Sequence, residues 1–68
     1  MANELKLRRT AMDLTQEELA KKSGVSRGTI IRLEQGKTYV ASTGTIIKLA
    51  KALECSLSDL FSSESLTN

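Results

Sequence analysis

Apolar residues recur along this chain at helical spacing, and each stretch begins with a polar residue suited to capping. Leu5, Arg9 and Met12 share one face at i, i+4, i+7, with Leu14 just beyond. Asn3 is a cap for this first helix, while Met1 and Ala2 are expected to be disordered. Thr15 and Glu18 have capping-box spacing. They open a second helix with acids at its positive end (Glu17, Glu18), Lys21 and Lys22 at its negative end, and Leu19 and Ala20 inward. Ser23-Gly24-Val25 reads as a tight turn, and Gly24 suits a left-handed position. Ser26 caps a third helix over 26–34 whose inward residues are Ile30 and Leu33, with Val25 just before it. Gly36 suits the residue past its end. Ser42 or Thr43 caps a fourth, whose Ile46, Leu49, Ala50 and Leu53 form the cleanest amphipathic stripe in the chain. Ser56 and Asp59 repeat the capping spacing before a last short apolar face of Leu57, Leu60 and Phe61. The pattern predicts an all-α fold.

Two charges fall on inward stripes. Arg9 sits among apolar neighbours, and Glu34 lies four residues after the inward Ile30. A buried Arg9–Glu34 pair that orients the first helix against the third is the economical reading. The rival is Arg9 snorkelling to a phosphate. Lys6 and Arg8 lie off the apolar face and are expected to be solvated. Tyr39 and Val40 either pack inward or stand exposed for a partner. Phe61 is expected to plug the core.

The two helices around Gly24 have helix-turn-helix spacing, which holds one helix proud of the body for a DNA major groove. On spacing alone an ordinary αα-hairpin is an equal reading. The exposed residues of the third helix shift the balance toward DNA: Ser26, Arg27, Gly28, Ile31, Arg32 and Gln35. Arg27 can reach guanine O6 and N7 with two parallel bonds. Arg32 reads a base or holds a phosphate. Ile31 touches a thymine methyl or is simply exposed. Gly28 brings no side chain to a base, and close approach of backbone to DNA would compensate its cost to the helix. Gln16 and the N–H groups at the start of its helix suit a phosphate oxygen, the plain alternative being a solvated side chain. Ser26 is a further phosphate candidate, and Thr29 either bonds a phosphate or packs between helices.

Gln16-Glu17-Glu18-Leu19-Ala20, Gly24-Val25-Ser26, Thr29-Ile30 and Arg32-Leu33-Glu34-Gln35-Gly36-Lys37 together resemble the Cro/C1-type (XRE-like) helix-turn-helix family of phage repressors and small bacterial regulators. The resemblance covers roughly residues 3–61. It implies a compact five-helix, lambda-repressor-like domain and sequence-specific binding of double-stranded DNA. It also implies an ion pair at the positions of Arg9 and Glu34, and a phosphate contact from the backbone at Lys37. The chain departs from the family in four places. Asp13 stands where a glycine usually ends the first helix. Gly28 stands where members read DNA with a polar residue. The loop over 38–41 is about one residue longer than usual, and it lacks the customary proline.

Composition narrows the rest. Sixty-eight residues allow one small domain, with a core over about 3–61 and a frayed tail over 62–68. No internal repeat or linker is expected. Proline is absent, and one Phe and one Tyr leave little for a small β fold. With no histidine and a single Cys55, no disulfide or metal set can be assembled, and Cys55 is expected to pack as a small apolar residue. No constellation for catalysis and no cofactor motif is recognisable, so enzyme activity is not expected. No signal peptide or 18-residue apolar run is visible, which points to a cytoplasmic protein, bacterial or phage-encoded. The net charge of +2 hides an asymmetry. Residues 1–51 carry all ten bases and five acids, whereas 52–68 carry three acids and no base. A basic body suits a polyanion, and the acidic end is left free.

A transcriptional regulator, most simply a repressor or a restriction-system controller, is therefore expected. The alternative is an antitoxin-like adaptor whose main partner is a protein. One recognition helix reads too few base pairs to select a site in a genome. A symmetric homodimer through the fourth and fifth helices is expected, with half-sites about 34 Å apart.

Overall fold

The computed structural model describes residues 3–35 and 41–60, so the expectations for Gly36, Lys37, Tyr39, Val40, Phe61 and the tail lie outside it. Five helices follow one another: α1 (Asn3–Ala11), α2 (Gln16–Ser23), α3 (Arg27–Glu34), α4 (Thr43–Ala52) and α5 (Leu57–Leu60). No strand occurs among the described residues.

Four of the five starts are built by a cap, whereas α1 begins at Asn3 itself rather than after it. Thr15 Oγ1 accepts from the Glu18 N–H at 3.0 Å and Glu18 Oε1 accepts from the Thr15 N–H at 2.8 Å, a reciprocal capping box. Ser56 and Asp59 do the same for α5, at 3.2 and 3.0 Å. The Ser56 backbone N–H, then its hydroxyl, holds the Asp59 carboxyl below the usual carboxylate range. Ser26 caps α3 and Ser42 caps α4, each accepting at 3.2 Å from the residue three positions on. These two starts differ at a single residue, Arg27 against Thr43: Ser-Arg-Gly-Thr-Ile-Ile at 26–31 and Ser-Thr-Gly-Thr-Ile-Ile at 42–47. In both, the serine and threonine hydroxyls also bond each other, at 2.9 and 3.0 Å.

Three helices end on a left-handed residue. Gly24 (φ 79°) closes α2 with its N–H on the Ala20 carbonyl at 2.9 Å. Asp13 (φ 57°) and Glu54 (φ 57°) do so without being glycine. After α1, Leu14 N–H reaches the Arg9 carbonyl and Asp13 N–H that of Thr10; after α4, Cys55 and Glu54 reach Ala50 and Lys51 in the same pattern. A left-handed non-glycine residue costs roughly 1–2 kcal/mol, less for Asp. Asp13→Gly is therefore expected to raise stability by about 0.5–1 kcal/mol once glycine's greater chain entropy is subtracted. A urea midpoint that fails to rise at constant slope would contradict this.

The core joins Leu5, Leu19, Val25, Ile30, Leu33, Ile46, Leu49, Ala50, Ala52, Leu53 and Leu60, with Met12, Leu14, Ala20, Cys55 and Leu57 packed partly against it. Burial pushes the Cys55 thiol up, away from the reactive thiolate. α2 packs on α3 and α4, α1 on α3 and α5, and α4 on α5. The contact with α5 corrects one expectation. Lys6 is exposed, but Arg8 is half-buried, its Nη2 3.8 Å from Asp59 Oδ1. No described helix is long and apolar enough to cross a membrane.

Candidate nucleic-acid interface

The site is organised by the charge pair beneath it. Arg9 is 9% exposed and Glu34 8%. Arg9 Nε donates to Glu34 Oε2 at 2.6 Å and Arg9 Nη2 to Glu34 Oε1 at 3.1 Å, a bidentate fork. Arg9 Nη1 donates to the Leu14 carbonyl at 2.7 Å, so the guanidinium is turned inward rather than out to solvent. Gln16 Nε2 adds a third bond to the carboxylate, on Oε1 at 3.0 Å. One buried carboxylate at the end of α3 thus collects α1 and the first residue of α2. The Gln16–Glu34 bond was not foreseen, because it joins residues eighteen positions apart and no local spacing announces it. It leaves the amide with a second N–H and a carbonyl, so the half-buried Gln16 keeps capacity for a phosphate.

On the opposite side of α3, Ser26, Arg27, Gly28, Arg32 and Gln35 are exposed, whereas Thr29 and Ile31 are half-buried. Ile31 therefore presents only part of its side chain. The Ser26 hydroxyl donates to Thr29 Oγ1, which leaves the threonine proton available outward. A Cβ built on Gly28 meets nothing within 4 Å, and its φ is not left-handed. Neither packing nor backbone geometry requires glycine there. Among the described residues no three His, Cys, Asp or Glu side chains gather as a metal set.

A capped helix with two exposed arginines, joined by a glycine turn to a helix that supports it and pinned by a buried ion pair, is a helix-turn-helix. Residues 5–60 match the helix-turn-helix family model, and the chain belongs to that family. It is 49% identical over 61 residues to an uncharacterized HTH-type transcriptional regulator of Methanocaldococcus jannaschii, covering 90% of this chain and 91% of the relative. An uncharacterized HTH-type transcriptional regulator of Archaeoglobus fulgidus is 41% identical over 61 residues, 90% and 84% of the two chains. In structure it is similar to the restriction-modification controller protein C.AhdI from Aeromonas hydrophila. The TM-score is 0.80 at 38% identity, over 88% of this chain and 89% of that one.

Proposed function

We propose that this chain is a sequence-specific DNA-binding transcriptional regulator that inserts α3 into the major groove and represses by occupying its operator. The carrying observation is the Glu34 carboxylate, which accepts from both Arg9 and Gln16 and so fixes the angle of α3 against α1 and α2. In this reading Arg27 and Arg32 face base edges, Ile31 offers its exposed part to a thymine methyl, and Gly28 lets the helix backbone come close. Gln16, Ser26, Thr29 and Lys37 hold phosphates and set the register. The names of the relatives and the match along α2 and α3 support regulation of transcription. The protein works as a symmetric homodimer on two half-sites, in the cytoplasm, where the DNA is.

Selection of bound sites from random duplexes tests the proposal. The expected result is a two-fold symmetric site whose affinity falls steeply with salt. Absence of any enriched sequence would reject base reading, and a weak salt slope with capture of a protein would favour the adaptor. Gly28→Ala adds a smaller check. The added methyl meets nothing in the free domain. It is expected to raise thermal stability, by up to about 1 kcal/mol, and to lower operator affinity. Unchanged affinity would remove the role of close backbone approach.

A further inference from the structure

We propose that the outward face of α1, carrying Glu4, Leu7, Arg8 and Ala11, is a two-fold interface with a second copy of this chain. The inference rests on the homodimer reading above and names the surface that makes it. Leu7 is 60% exposed, the most open of the large apolar side chains described. It borders a cavity of about 290 Å³ lined by Glu4, Leu7, Arg8, Ala11, Met12 and Leu53, where α1 meets the end of α4. Arg8 is poorly satisfied there. Its Nη2 lies 3.8 Å from Asp59 with both side chains only partly covered, and its Nε is buried without a hydrogen-bond partner. A pair this long and this open is worth little, so the terminal nitrogens of Arg8 keep room for a second acceptor.

The face also carries the acceptor that a second copy would bring. Glu4 and Arg8 are one helical turn apart on it, an acid and a base on either side of Leu7. In a closed two-fold contact, residue i meets j and j meets i. An antiparallel crossing of two α1 helices near Leu7 therefore sets Glu4 of each copy against Arg8 of the other. Each Leu7 then enters the cavity beside the other copy's Ala11 and Met12. Charge complementarity is supplied by one sequence used twice, which selects a second copy over an unrelated partner. Leu7 stands two residues from Leu5 and from Arg9, on the far side of α1 from the stripe that packs inward. The interface adjoins the contact expected from α4 and α5, because Leu53 lines the same groove and Asp59 faces Arg8.

Sedimentation of the full chain and its variants, with circular dichroism as the check of folding, tests this. Wild type is expected to dimerise. Glu4→Arg alone and Arg8→Glu alone each set like charges against each other and are expected to weaken dimerisation about tenfold or more. An equimolar mixture of the two variants restores both opposite-charge pairs across the interface and is expected to return to the wild-type dimer constant. A salt bridge within one chain cannot produce that rescue. Leu7→Lys, which leaves the core untouched, is expected to be monomeric. A wild-type dimer whose variants dimerise equally well, or a mixture that stays monomeric, overturns this surface and leaves the homodimer reading standing. A wild type that remains monomeric even on operator DNA overturns both.

Discussion

Arg9→Ala or Glu34→Ala alone is expected to cost on the order of 3–5 kcal/mol, because each leaves an uncompensated charge inside the domain. The charges are not worth that much as a pair. Desolvating both offsets most of their attraction, so replacing the two together by apolar residues of similar volume should recover much of the loss. Recovery is partial here, since Gln16 Nε2 and the Leu14 carbonyl also lose a partner. A 68-residue helical domain has little stability to spare, so either single variant is expected to be largely unfolded at 37 °C. A double-mutant cycle by urea denaturation measures the coupling. A coupling energy near zero would remove the pair from the account of the fold. The apolar double variant carries the functional half of the argument. If the pair orients α3, that variant folds yet binds operator more weakly than its stability explains.

The network also marks the limit of reading the sequence. Caps were legible because capping is local: Thr15 with Glu18, Ser26 with Thr29, and Ser56 with Asp59 are each three residues apart. The inward stripes of α3 and α4 were legible because a helix repeats every 3.6 residues. Ala52 was missed, since it lies off the α4 stripe and is buried all the same. Glu54 was missed as a left-handed residue because glutamate carries no turn signal, whereas Asp13 stood where the family has glycine. Arg8 was misread because its neighbour Asp59 lies on α5, fifty-one positions along the chain, and no periodicity spans that distance. Arg9 and Glu34 could be paired from sequence for a different reason. Two opposite charges on two apolar stripes have few other places to go.

The largest effect on recognition is expected at Arg27. It is the first residue of α3 and exposed, and its neighbour Gly28 offers no side chain to crowd it. A guanidinium there can meet O6 and N7 of one guanine at once, a contact worth about 1–3 kcal/mol against the wrong base. Arg27→Ala should therefore lower affinity for the selected operator by about 5–150-fold in each half-site. It should flatten preference at one base pair and leave the denaturation midpoint where it was. A phosphate contact would behave differently. Its loss would weaken binding evenly on specific and random duplexes and lower the salt slope by about one. Titrations of wild type and Arg27→Ala against operator, single-base variants and random duplex at several salt concentrations separate the two. Equal loss on every duplex with a reduced slope would reassign Arg27 to the phosphates and leave Arg32, the other exposed arginine of α3, as the side chain that reads the base.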